Sequence, residues 1–341
     1  VGRRYCVAFN SCGASLAAAL IAAGVERGDK VLMNAFTLAP VPGAIVHAGA
    51  EPVFVGITPD YHIDLDDLRR AANASGAKWL LLSYMRGHIP DMDAVMRVCT
   101  ELDITVIEDC AHTMGASWAN KPTGTFGAAG CFSTQSFKHA NSGEGGLLVT
   151  NDEDLAAKAV LLSGSYMLYE QHGARPDAEV FERHRLTTPN FSMRMSALAA
   201  ALVRPQLELL APRAAIWNAR YAQLAELLDA IPRVRVPERA VAEQYVASSI
   251  QFTIEGASSE FMTNFVNFTS AHGVFIKWFG AEDPRGFTSR FDHWRYADEQ
   301  PLAATSAILS GLCDMRIPLA MSSGQAIDIA RVIADAAEQS R

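Results

Sequence analysis

The chain has 341 residues, half of them hydrophobic, and 29 basic against 37 acidic side chains give it a formal net charge of -8. That length favours about two domains, and that charge argues against nucleic acid or an anionic membrane surface as partner, so a phosphate-bearing ligand needs a local basic patch. The six cysteines, at 6, 12, 99, 110, 131 and 313, form no CxxC pair and sit mostly in apolar runs, which argues against a disulfide framework or a zinc site and for the cytoplasm.

Residues 5–9 read as a short strand, 14–23 as an alanine-rich helix ending at Gly24, and 30–33 as the next strand. Then follow 38–48 (helix, with Pro40 and Pro42 in its first turn), 52–55 (strand), 64–74 (helix), 79–83 (strand), 92–102 (helix) and 105–108 (strand). This rhythm predicts an α/β fold with a mostly parallel sheet and helices on both faces, and such sheets bind ligands at the carboxyl ends of their strands. Residues 131–134 and 146–150 predict two more strands around a lysine-bearing loop, and another helix opens at Asp152. The polar, His/Arg-rich stretch 163–189 reads as a long loop. Residues 193–210 and 214–228 read as one bent helix or two consecutive helices broken near Pro212. Beyond them, 249–254 (strand), 260–272 (helix), 274–278 (strand) and 325–337 (helix) suggest a smaller α+β domain, so the division expected is 1–210 and 211–341. No apolar run of about twenty residues and no signal peptide is visible, and a start at Val1 leaves room for a preceding segment.

Lys138 stands five residues after Ser133 and five before Gly143, between an apolar strand and the glycine-rich Ser142–Gly146 stretch. Partly desolvated there, its amine would have a lowered pKa and could attack an aldehyde carbon. Asp109 closes the strand upstream, where a carboxylate could serve a pyridine nitrogen or simply cap a helix. The turn over residues 10–14 would point the backbone N–H groups of Cys12 and Gly13 at an anion, with the Ser133 hydroxyl beside them. A lysine, a carboxylate and an anion cradle are the three requirements of pyridoxal 5'-phosphate. The first strand–helix turn lacks GxGxxG, which disfavours a dinucleotide site.

With these motifs the chain resembles the DegT/DnrJ/EryC1/StrS family of pyridoxal-phosphate-dependent sugar aminotransferases, of fold type I. The resemblance runs from the residue 10–14 turn through 49–55, 108–112, the Ser133/Lys138 loop, 149–152 and 194–196 to Leu207. It implies that Lys138 is the cofactor lysine, that Asp109 meets the ring nitrogen, that Ser133 and the Cys12–Gly13 backbone bind phosphate, and that His112 lies over the ring. The family's ring-stacking aromatic falls on Leu38, its usual glutamine on His112, and an asparagine supplied across a homodimer on Ser192, with Asn190 two residues earlier. Some relatives carry histidine in place of the lysine and act as dehydratases. Both counts onto the loop give Lys138, not His139, so transamination is expected.

The resemblance further implies a ping-pong reaction with glutamate or glutamine as donor and a keto group of a nucleotide-linked sugar as acceptor. A ketocyclitol or another natural-product intermediate is the alternative acceptor, and a non-catalytic cofactor-binding regulator is the alternative from another class. Lys277, Arg285, Arg290 and Arg295 lie in the chain's densest mixture of arginine and aromatics. They could bind a substrate phosphate or carboxylate, or simply pack a surface loop of the small domain.

Overall fold

Consecutive residues of the large sheet's strands point into two different apolar clusters, and that alternation puts helices on both faces. The protein is described from a computed structural model, which covers residues 1–165, 169–173, 175–285 and 290–339. The large sheet contains β1 (Tyr5–Phe9), β2 (Lys30–Asn34), β3 (Glu51–Val55), β4 (Trp79–Ser83), β5 (Thr105–Asp109), β6 (Ala129–Ser133) and β7 (Gly146–Thr150). Their spatial order is β1-β7-β6-β5-β4-β2-β3. Pairs from β6 across to β3 are parallel, whereas β7 runs antiparallel to both β1 and β6.

Between and after these strands run α1 (Cys12–Ala23), α2 (Pro40–His47), α3 (Leu65–Ser75), α4 (Met92–Glu101) and α5 (Glu153–Val160). Val31, Met33, Leu81 and Ile107 belong to the cluster formed with α1, α2 and α5. Leu32, Leu80, Leu82 and Val106 belong to the cluster formed with α3 and α4. Strands buried on both sides carry apolar residues in succession, as these do at 31–33, 80–82 and 106–107, with polar residues at their carboxyl ends. Asp64, Asp91 and Asp152 cap α3, α4 and α5 through their carboxylates, each contributing about 1 kcal/mol. Gly24 closes α1 at φ +106, a left-handed turn that glycine adopts without a steric penalty.

The stretch 163–189 departs from the expected long loop, because it contains α6 (Ala178–His184). Only Val180 and Phe181 of that helix are buried, and Phe181 stacks on Tyr169 at 4.3 Å, so tertiary packing stabilises a segment with little periodicity of its own. The helices α7 (Ala197–Leu207) and α8 (Leu210–Asp229) part at residues 208–209, ahead of Pro212. Pro212 occupies the first turn of α8, where no intrahelical N–H is required.

A second, antiparallel sheet has the order β8 (Val234–Arg235), β9 (Ser249–Ile254), β11 (Leu312–Arg316), β10 (Lys277–Trp278). It packs with α8, α9 (Ser259–Ala271) and α11 (Ser323–Gln339), and α10 (Ala303–Ser310) precedes its β11 strand. The expected strand over 274–278 pairs only at its last two residues, while α10 and β11 lay outside the expectations altogether. Asp314 and Arg316 break the apolar pattern of β11 because that face meets polar partners. Residue 210 opens α8, yet each apolar cluster draws residues from both sides of it. Among the described residues, no helix is long and apolar enough to cross a membrane.

Candidate active site

The carboxyl ends of β5 and β6 and the start of α1 border a cavity of about 400 Å³, lined in part by Cys12, Gly13, Leu38, Asp109, Ser133 and Lys138. Ser11 caps α1 by accepting a hydrogen bond from the Ala14 N–H at 3.0 Å. The N–H groups of Cys12 and Gly13, the first donors of the helix, make no hydrogen bond among the described residues. Strand β7 crosses directly behind this turn. A Cβ at Gly146 would lie 2.3 Å from the Ser11 carbonyl oxygen and 2.7 Å from the Cys12 nitrogen, so only glycine permits the approach.

Asp109 is held by a chain of donors. Its Oδ2 accepts from Ser83 Oγ at 2.7 Å, Ser83 Oγ accepts from Thr37 Oγ1 at 2.8 Å, and Asp109 Oδ1 accepts from the Ala111 N–H at 3.1 Å. Asn34 anchors the same strand end, accepting from the Ser83 N–H at 2.9 Å and donating to the carbonyls of Phe36 and Ser83. Burial pushes the Asp109 carboxyl above the usual range, while Ser83 and the charge of Lys138 oppose that push. A neighbouring ring cation would favour the carboxylate further.

Lys138 lies in the loop between β6 and β7, with its Nζ 3.0 Å from His112 Nε2. Burial brings its amine down to about 8, against an opposing pull from Asp109. Burial and the charge of Lys138 hold His112 well below the usual imidazole range, so the ring is neutral. The adjacent His139 turns elsewhere: it is buried against Trp217 at 5.2 Å, its Nε2 is 3.1 Å from Ser248 Oγ, and burial lowers it to about 4.

Free amides at a helix start, a buried carboxylate and a lysine with a lowered pKa in one cavity fit pyridoxal phosphate. Of the four basic residues singled out in the 277–296 stretch, Lys277 lines this cavity. Arg285 is exposed beside a separate depression near Glu260 and Trp278. Arg290 is paired with Asp292 at 2.9 and 2.8 Å, and Arg295 faces solvent. Asn190 and Ser192 are likewise exposed, bonded to each other at 2.9 Å through the Ser192 N–H, and do not line the cavity of this chain. Sequence reasoning missed Arg86, Gln135, Glu144 and Arg316 in the lining. Arg86 stands three residues beyond the end of β4, a position that the strand-end rule could have marked.

The profile of the DegT/DnrJ/EryC1/StrS aminotransferase family matches residues 1–334. The chain belongs to this family. Among family relatives, the L-glutamine:scyllo-inosose aminotransferase of Streptomyces griseus is 32% identical over 71% of this chain and 56% of its own length. The GDP-perosamine synthase of Caulobacter vibrioides is 32% identical over 61% of this chain and 53% of its own. The matches thus span about half the length of these curated relatives. The crystal structure of 3-amino-5-hydroxybenzoic acid synthase superposes with a TM-score of 0.85 at 23% identity, covering 99% of this chain and 88% of that one, and so shares its fold.

Proposed function

We propose that the protein is a pyridoxal-phosphate-dependent aminotransferase that moves an amino group from glutamate or glutamine to a keto group on a sugar or cyclitol ring. The observation that carries this reading is Lys138, with a lowered pKa and paired to a neutral His112, in a cavity that also holds Asp109 and two free helix-start amides. The Cys12 and Gly13 amides and the Ser133 hydroxyl would hold the phosphate, Asp109 would keep a proton on the ring nitrogen, and Leu38 and His112 would flank the ring. Bound there, the cofactor supplies an aldehyde and an electron-accepting ring. Lys138 gives the covalent attachment and, once displaced by the donor, its free amine takes and returns the proton at the donor's α-carbon. Residues 1–210 would carry these groups, and residues 211–341 would close the cavity through Lys277 and Arg316.

The relatives' names support both acceptor types, since one acts on scyllo-inosose and another makes GDP-perosamine. A homodimer completing each site is supported by α7, an apolar helix that buries only Val203 within its own chain. Six unpaired cysteines suit a reducing cytoplasm. Loading the purified protein with cofactor and adding L-glutamate tests the reading: the visible absorbance should bleach and return on addition of a ketocyclitol or keto-sugar. A protein that binds the cofactor but bleaches with no amino acid would be a regulator instead.

A further inference from the structure

Three cations face the cavity without belonging to the groups assigned to the cofactor: Arg86, Lys277 and Arg316. Arg86 has a left-handed backbone, φ +56 and ψ 19, which is uncommon for a residue with a side chain and persists only where the surroundings enforce it. Its side chain is 4% exposed, and its Nη2 lies 2.6 Å from Oδ2 of Asp314, itself 1% exposed. Asp314 Oδ1 accepts from Gln251 Nε2 at 2.8 Å, which ties the pair to the second sheet. Arg86 Nε is buried and carries no hydrogen bond among the described residues. An unpaired donor at the wall of a cavity is costly unless a ligand completes it.

The second sheet supplies the other two cations in register. Lys277 pairs directly opposite Asp314, and Arg316 follows two residues later on the same face of β11. The Arg316 guanidinium lies 4.0 Å from the centroid of the Phe137 ring, beside Lys138, which fixes it near the lysine loop. Asp314 is the carboxylate paired with Arg86, and neither Lys277 nor Arg316 has an acid within ion-pair distance among the described residues. Burial first and the charge of Arg86 second lower both, against an opposing pull from Asp314, and bring Lys277 to about 8.

We propose that Arg86, Lys277 and Arg316 form a carboxylate subsite, oriented by the buried Arg86–Asp314 pair, which holds the anionic group of a substrate while Lys138 acts on its amino- or keto-bearing carbon. The proposal rests on the aminotransferase reading above. A planar guanidinium with an unpaired Nε–H, backed by two further cations, matches a carboxylate far better than a neutral ring hydroxyl. No bond forms or breaks at this subsite. Because both half-reactions use one cavity, the carboxylate is carried either by the amino donor or by the keto acceptor.

Glutarate, a dicarboxylate with no amino or keto group, is the probe. It is titrated calorimetrically into cofactor-loaded protein, in which the cofactor phosphate already engages the α1 amides. The expected result is measurable binding by the wild type, weakened about tenfold or more in Lys277→Gln and in Arg316→Gln, with cofactor affinity unchanged. Arg86→Lys keeps a charge for Asp314 but loses the planar fork, and should weaken the probe similarly. Should that variant fail to fold, the other two still decide. Equal glutarate affinity in every variant, or none in a wild type that loads cofactor and exchanges amino groups with L-glutamate, overturns the subsite alone. A wild type that neither loads nor exchanges refutes the aminotransferase reading instead. In half-reactions followed by absorbance, a higher half-saturation for L-glutamate in the variants assigns the carboxylate to the donor. A selective loss with a carboxylated keto acceptor, compared with a neutral keto-sugar, assigns it to the acceptor.

Discussion

Lys138 Nζ and His112 Nε2 are 3.0 Å apart, and the pair shares its protons unequally. The imidazole is held well below its ordinary range by burial and by the lysine's charge, so it accepts a hydrogen bond from the lysine and does not compete for a proton. Lys138, brought down to about 8, is roughly one-tenth free amine at pH 7, about 300 times the free-amine fraction of a lysine at 10.5. In cofactor-free protein, the rate at which Lys138 forms an adduct with a small aldehyde should therefore rise with pH and level off above about 8. Mass spectrometry of the trapped, reduced adduct checks the site. A midpoint near 10 would show that the amine is solvated like any surface lysine. Lys138→Ala should abolish both the adduct and amino exchange.

Among the described residues, Ser83 delivers the one side-chain hydrogen bond that opposes the upward push of burial on Asp109. Ser83→Ala removes it and leaves the Thr37 hydroxyl without its acceptor. Hydrogen bonds to a charged group contribute about 1.5–3 kcal/mol, so cofactor affinity should fall roughly ten- to a hundredfold, with a much smaller change in stability. Equilibrium titration of the cofactor, beside thermal unfolding of the apoprotein, separates the two effects.

Much of the first half was legible because its helices and strands carry the pattern that their own burial requires. Leu80, Leu81 and Leu82 are apolar in succession because both sheet faces are covered, and Asp109 and Ser133 end strands where ligands collect. Strand β11 was not legible, since Asp314 and Arg316 look like surface residues until Arg86 and Gln251 arrive from distant parts of the chain. For the same reason the arginine-rich stretch is only partly informative: local density marks Lys277, Arg285, Arg290 and Arg295, and of these the cavity wall takes Lys277, with two arginines from elsewhere in the chain. For Asn190 and Ser192 only the family resemblance gives a role, across a homodimer, and in this chain both are exposed and away from the cavity.

Gly146 keeps β7 in contact with the Ser11–Cys12 turn. Gly146→Ala places a methyl group 2.3 Å from a backbone oxygen, where neither partner is a flexible side-chain end. Overpacking of this kind costs about 1–3 kcal/mol and would turn the Cys12 and Gly13 amides away from their common target. Denaturant unfolding should show the loss of stability, and binding of the cofactor should weaken more than the loss of stability alone explains.

The helix α7 exposes Leu198 and Leu202 at 73% and 50%, and Leu186 and Phe191, ahead of it in the chain, are exposed at 87% and 42%. If these residues meet a second copy, the double substitution Leu198→Asp, Leu202→Asp should convert a dimer to monomer in sedimentation. Amino exchange should fall at the same time if the exposed Asn190 and Ser192, a few residues ahead of α7 in the chain, serve the site of the second copy. A wild type that sediments as a monomer would rule the arrangement out.

Glu108, directly before Asp109, has all of its acceptor capacity directed at the site's framework. Its Oε1 accepts from the N–H groups of Phe126 and Gly127, each at 2.7 Å. Its Oε2 accepts from Tyr84 at 2.6 Å and from the Gly124 N–H at 2.7 Å. In Glu108→Gln either orientation of the amide turns an NH₂ group toward backbone N–H donors that cannot move away. One or two buried donors are then left unpaired, at about 1–3 kcal/mol each. The variant should unfold at distinctly lower denaturant concentration, with cofactor affinity reduced through the displaced β5 end. Glu108→Ala, which removes the acceptor of all four donors and leaves a cavity besides, should be more damaging than the glutamine. A glutamine variant as stable as wild type would mean that these N–H groups find water, and that the carboxylate is not what holds the 124–127 turn against β5.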